Sequence, residues 1–184
     1  MMDKKWLGAV GVLVLGVLAW GGYGLSGAPA VTQPIQFPHK THVEAGLECT
    51  NCHVRAEEGL VAGRPPTEFC LACHSDGEAE GELKKLQVFA ESGEQIPWRR
   101  VWRLPRHVFF PHRTHVVVAQ VKCQTCHGPM ETLERPPERP LKTLTMSDCI
   151  RCHERWQWPE GMASQPVRVG ARQGVSTDCN ACHR

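Results

Sequence analysis

Tyrosine occurs once in the 184 residues, and Phe, Trp and Tyr together make up only 7%. No charge of one sign dominates. The formal net charge is +2, which leaves no electrostatic footprint for nucleic acid. Charged residues make up 22% and apolar residues 41%, a balance that excludes a disordered chain and a polytopic membrane protein. Long Gly/Ser-rich linkers are missing, although prolines recur at Pro65-Pro66, Pro136-Pro137 and Pro140. No cysteine is left over: all ten fall in five copies of C-x-x-C-H. These are Cys49–Cys52–His53, Cys70–Cys73–His74, Cys123–Cys126–His127, Cys149–Cys152–His153 and Cys179–Cys182–His183. Random placement of these residues predicts about 0.03 such motifs, so five have a chemical cause.

C-x-x-C-H is the attachment signature of c-type haem. Two thiols separated by two residues reach the two vinyl groups of one porphyrin, and the next residue supplies the proximal imidazole. A disulfide framework does not need His after every second Cys. Zinc is closed by four ligands, usually two Cys pairs, and five pairs cannot be matched in twos. The expectation is five covalently bound haems, with His53, His74, His127, His153 and His183 as proximal ligands.

Covalent haem attachment takes place outside the cytoplasm, so the chain must be exported. Trp6 to Leu25 is a run of 20 residues without charge, after Lys4 and Lys5. At 1.5 Å per residue it spans roughly the 30 Å hydrocarbon core, which predicts an N-terminal transmembrane anchor. Its six glycines dilute its hydrophobicity, and Ala28-Pro29-Ala30 offers the competing reading of a cleaved signal peptide. With the anchor retained, everything after Leu25 lies on the outer side of the membrane.

The exported part contains a repeat. Phe37-Pro38-His39-Lys40-Thr41-His42-Val43 precedes the first motif, and Phe110-Pro111-His112-Arg113-Thr114-His115-Val116 precedes the third. Five histidines lie outside the C-x-x-C-H motifs: His39, His42, His107, His112 and His115. Their number equals the number of haems, so they are the candidate distal ligands. Within H-x-x-H on a helical turn, both rings project from one face and can serve two neighbouring haems. A thioether is the rival ligand, with Met146, Met162 and Met130 as candidates, and would raise the potential of its haem. The alternative role for these methionines is packing against porphyrin.

The expected organisation is an anchor over 1–30, a two-haem module over 31–95 and a three-haem module over 96–184. The expected fold is mostly irregular, with short α-helices organised around the haems. Glu78 to Glu91 carries Leu83, Leu86 and Phe89 at helical spacing and is the best helix after the anchor. Arg99, Arg100, Arg103 and Arg106, interleaved with Trp98 and Trp102, are placed to pair with haem propionates, anionic lipid or a partner.

Two further stretches carry a family resemblance. They are Ile96-Pro97-Trp98-x-x-Val101 through His107, Phe110, His112 and His115 to Cys123…His127-Gly128-Pro129, and Leu144-Thr145-Met146 before Cys149. Together they resemble the pentahaem cytochrome c subunit of alternative complex III, a quinol:cytochrome c oxidoreductase. The F-x-H-x-x-H unit is similar to class III multihaem cytochromes generally. The first resemblance implies a bacterial cytoplasmic-membrane complex that oxidises quinol and passes electrons to a cytochrome c or an oxidase. It implies three kinds of partner: an integral membrane subunit that binds quinol, an iron–sulfur subunit like the molybdopterin oxidoreductases, and a monohaem cytochrome c. The same subunit type resembles its counterpart in quinone-reductase complexes, where electrons run the other way. Resemblance to class III cytochromes implies that His39 ligates the haem of Cys49 and Cys52, and His112 that of Cys123 and Cys126.

The residues alone describe an electron relay, since bis-histidine iron has no open coordination site. A multihaem enzyme needs one exchangeable site, and no C-x-x-C-K variant occurs. A free-standing periplasmic carrier is the third reading, and retention of Trp6–Leu25 distinguishes it from the tethered form.

Overall fold

The computed structural model describes residues 11, 13–17, 29–75, 79–157 and 175–183. The chain divides into two compact units, Met1–Ala30 and Val31–Arg184. In the first unit the described residues 11 and 13–17 are helical. Most of the expected anchor lies outside the described residues, as does the Ala28 side of the alternative cleavage site. Among the described residues no helix is long and apolar enough to cross a membrane.

The second unit is built from short helices joined by irregular segments, and its described residues contain no β-strand. One isolated antiparallel bridge links Val108 to His183. The helices are α1 (His39–Glu44), α2 (Cys49–Cys52), α3 (Arg55–Glu58), α4 (Thr67–Leu71), α5 (Glu82–Ser92), α6 (Cys123–His127), α7 (Met146–Arg155) and α8 (Cys179–Cys182). A π-helical turn covers Thr114–Val118 and a 3₁₀ turn covers Met130–Thr132.

Three of the motif helices, α2, α6 and α8, begin at the first cysteine of their motif. A helical turn puts residues i and i+3 on one face, so it aims both thiols the same way. Local caps set these starts. Glu48 and Asn51 form a capping box at α2, and Thr145 and Asp148 form one at α7. Helix α6 stops at Gly128, whose φ of 76° is open only to glycine at low cost.

Helix α5 starts at Glu82, later than the expected Glu78, because Gly81 with φ 56° and ψ −120° cannot be part of it. It ends at Ser92, where Gly93 takes the left-handed conformation. Of its apolar stripe, Leu86 is buried, Phe89 is partly buried and Leu83 is 43% exposed. It packs on α4. Thr67 fastens the two: its hydroxyl donates to the Glu94 carbonyl at 3.1 Å and accepts from the Ile96 N–H at 3.0 Å.

The unit's own core is small. Ile35, Leu86 and Ile96 form its buried apolar cluster, with Cys70, Leu71, Phe89 and Trp98 packed against them. Backbone bonds join the early and late parts of the unit. The Lys40 N–H donates to the Leu133 carbonyl at 2.9 Å, the Val31 N–H to Glu138 at 2.8 Å and the Arg113 N–H to Gly59 at 3.0 Å. Helix α1 packs on the 3₁₀ turn, and α3 on the π-helical turn.

Candidate haem-binding sites

The two copies of the F-P-H repeat fold alike in detail. In the first, the Phe37 ring lies edge-on to His39 at 5.0 Å and stacks on His42 at 4.2 Å. In the second, Phe110 lies edge-on to His112 at 5.1 Å and stacks on His115 at 4.2 Å. The ring of the second His is also tied to the chain four residues back. His42 Nδ1 bonds the Pro38 carbonyl, and His115 Nδ1 bonds the Pro111 carbonyl, both at 2.9 Å. In the second copy the helix widens into the π-helical turn, a geometry frequent at functional sites.

A carbonyl oxygen only accepts, so each of these Nδ1 atoms carries the proton and leaves Nε2 as the free lone pair of the neutral ring. The same device recurs elsewhere. His53 Nδ1 donates to the Gly63 carbonyl at 2.9 Å, His112 Nδ1 to Leu60 at 2.8 Å and His153 Nδ1 to Ser176 at 2.8 Å. Orientation of a ligating imidazole by a carbonyl on its other nitrogen is the usual second layer of a metal site. Gly63 reaches this position with φ 76°, and a Cβ there would meet the Arg55 side chain at 3.1 Å.

Four of the five histidines outside the motifs face a motif histidine. Ring centres are 6.1 Å apart for His42 and His74, 6.3 Å for His112 and His127, and 6.1 Å for His115 and His153. A metal–imidazole bond of about 2 Å, with the ring centre roughly 1 Å beyond the nitrogen, places two imidazoles flanking one metal about 6 Å apart. His107 and His183 are closer, at 5.2 Å, with planes 19° apart. His39 is pushed down to about 4, first by burial and then by the neighbouring His53 and His42. His115 and His127 are also lowered, each chiefly by burial. A lowered value keeps the ring in the neutral form that binds metal.

None of the ten motif cysteines is paired in a disulfide. Burial is the first cause that raises Cys49, Cys52, Cys70, Cys126 and Cys149. Among the described residues, no three His, Cys, Asp or Glu side chains converge on a common point as a zinc site requires. Three buried ring nitrogens lack a protein partner: His39 Nδ1, Trp98 Nε1 and Trp156 Nε1. The indole N–H groups are donors only, so they suit the carboxylate end of a haem. Paired thiols, facing imidazoles and unpartnered donors all fit that group.

Met146 is 64% exposed at the start of α7, Met130 sits in the 3₁₀ turn, and Met162 lies outside the described residues, as does Trp158. In the basic stretch, Trp102 lies edge-on to His127 at 4.8 Å and Trp98 packs near Phe37 at 6.4 Å. The Arg99 N–H donates to Gln33 Oε1 at 2.9 Å. The sequence reading assigned no role to the carbonyls of Leu60, Gly63 and Ser176, or to Phe37 and Phe110. The duplicated Phe-Pro of the repeat was the one available signal.

Residues 25–95 match the class III cytochrome c family, and residues 108–184 match the family of cytochrome c7 and related cytochrome c. The chain is also similar to the multihaem cytochrome c subunit of menaquinone reductase from Nitratidesulfovibrio vulgaris (strain Hildenborough). The two are 32% identical over 164 residues, and the alignment covers 78% of each.

Proposed function

This chain belongs to the class III and cytochrome c7-like multihaem cytochromes c, and from that membership we propose that it is a pentahaem, membrane-tethered electron relay of a quinone-linked oxidoreductase complex. The observation that carries the proposal is the facing of motif and non-motif imidazoles in four pairs, with ring centres between 5.2 and 6.3 Å apart.

In this reading the five cysteine pairs bond the porphyrins, and His53, His74, His127, His153 and His183 ligate from one side. His39, His42, His112, His115 and His107 ligate from the other, serving the first, second, third, fourth and fifth motifs respectively. Haem iron supplies the one-electron chemistry when bound. The side chains do the remaining work. With both imidazoles of a pair holding the group, a substrate would find no open coordination position. The carbonyls of Pro38, Leu60, Gly63, Pro111 and Ser176 hold Nδ1–H and so turn Nε2 toward the ligated position. The chain binds and orients, and quinone chemistry belongs to a partner subunit.

The proposal extends to an anchor over Trp6–Leu25 in a bacterial cytoplasmic membrane, with residues 31–184 on the periplasmic side as a two-haem and a three-haem module. Its partners are then a quinone-binding integral membrane subunit, an iron–sulfur subunit of the molybdopterin-oxidoreductase type and, in the quinol-oxidising case, a monohaem cytochrome c. The name of the relative favours electron flow toward menaquinone. The stretch from Ile96 to His115 and the residues before Cys149 resemble subunits of both quinol-oxidising and quinone-reducing complexes and do not choose between the two directions.

The test is purification of the tagged chain from its own membranes in detergent. It is expected to co-elute with an integral membrane subunit and to weigh five haems more than its polypeptide after denaturation. Recovery in a detergent-free wash without partners, or a mass short of five haems, overturns the reading. The direction follows from whether the purified complex reduces a menaquinone analogue or oxidises its quinol.

A further inference from the structure

Resting on the reading that each C-x-x-C-H motif holds a haem, we infer that the five attachment sites form a single row in the order second, first, third, fourth, fifth motif. The row crosses between the two halves of the sequence at the first and third motifs, and the first motif in the chain is an interior site.

Each link rests on contacts. The second and first sites meet through α1: His42 faces His74 at 6.1 Å, and His39, which the proposal assigns to the first motif, lies edge-on to the same Phe37 ring at 5.0 Å. The first and third sites meet through the loop after α3. Its Gly63 carbonyl holds His53 of the first motif at 2.9 Å, and its Leu60 carbonyl holds His112, which faces His127 of the third, at 2.8 Å. One short loop therefore orients an imidazole from each half.

The third and fourth sites repeat the first link: His112 and His115 share Phe110, and His115 faces His153 at 6.1 Å. The fourth and fifth meet where the Ser176 carbonyl, three residues before Cys179, accepts from His153 Nδ1–H at 2.8 Å. The fifth site is closed back on the strand-like segment before the repeat. There the Phe109 N–H donates to the Cys182 carbonyl at 2.7 Å, and Val108 bridges His183. The second and fifth sites, having one neighbour each, are the two ends at which outside redox proteins are expected to dock.

The test is a stepwise reductive titration of the full-length holoprotein, followed by NMR exchange spectroscopy. His42→Met and His115→Met each raise the potential of one haem and so assign its signals. Should a Met variant lose its haem, the wild-type signals are assigned from contacts to the Phe37 and Phe110 rings instead. The charge gained by one iron shifts the midpoint of another by an amount that falls with distance. The first-motif haem is expected to be shifted most by the second and third, and the second–fifth pair is expected to give the smallest shift of all. A five-haem protein whose second-motif haem responds more to the third or fourth than to the first overturns the order alone. A denatured mass short of five haems overturns the underlying reading and the order with it.

Discussion

At the residue scale, the histidines outside the motifs carry the most specific commitments. His112 is held by the Leu60 carbonyl at 2.8 Å and faces His127 at 6.3 Å. Replacing it with Ala removes the imidazole proposed for the third haem and leaves Cys123 and Cys126 untouched. The His112→Ala protein is expected to keep all its haems by mass and to gain one carbon-monoxide-binding haem in the reduced state. Five low-spin irons in that variant would mean that another side chain, Met130 or Met146, takes the position. Phe110 is a positioning residue: it stacks on His115 with planes 24° apart and sets His112 edge-on at 90°. Phe110→Leu frees both rings to rotate. The ferric EPR spectrum is expected to lose two of its low-spin signals and gain two shifted ones, with haem content unchanged. An unaltered spectrum would show that the Phe only fills space. Both histidines of each pair were legible in the sequence because H-x-x-H and the count of five are side-chain signals. The oxygens that orient them were not, because a backbone carbonyl has no residue signature and Leu60 is 52 residues from His112.

At the element scale, the short motif helices depend on their ends. A turn of four or five residues has little cooperativity of its own, so capping decides whether it forms. Helix α7 carries Cys149, Cys152 and His153, and its box is complete. The Thr145 hydroxyl accepts from the Asp148 N–H at 3.3 Å, and the Asp148 carboxylate accepts from the Thr145 N–H at 2.9 Å. Thr145→Ala is expected to cost about 1 kcal/mol, read as a lower denaturation midpoint for the haem-loaded chain. The Asp148 carboxyl is held below its ordinary 3.8 by the Thr145 hydroxyl first, then by the Thr145 N–H and Arg151. A carboxyl lowered in the folded state contributes above its unfolded value and loses that contribution as pH falls through the folded one. Amide exchange in α7 is therefore expected to accelerate below about pH 4, and Asp148→Asn to flatten that dependence. The type and rough place of α5 followed from its apolar spacing. Its start did not, because the φ of 56° at Gly81 is set by the loop before it.

At the scale of the whole molecule, the described residues of the unit Val31–Arg184 form short helices and a small apolar cluster of Ile35, Leu86 and Ile96. No side chain among the described residues is both large and fully buried. Long-range order comes instead from single ties: Gln33 to Arg99, Thr67 to Glu94 and Ile96, and Lys40 to Leu133. Each such bond is worth about 1 kcal/mol, while ordering one residue costs about 1–2 kcal/mol. Five haem motifs in so short a chain are consistent with this imbalance, but the sequence does not show which halves are tied together. The imbalance makes folding conditional on the covalent group, as metal-dependent small domains fold only when loaded. The same polypeptide made in the cytoplasm, where no thioether forms, is expected to be cut by protease across Val31–Arg184 within minutes and to lack a cooperative thermal transition. The exported, haem-loaded protein is expected to resist the same treatment and to melt in one step. A cooperative transition in the unloaded chain would show that the ties alone suffice, and that the haems are guests in a fold rather than its core.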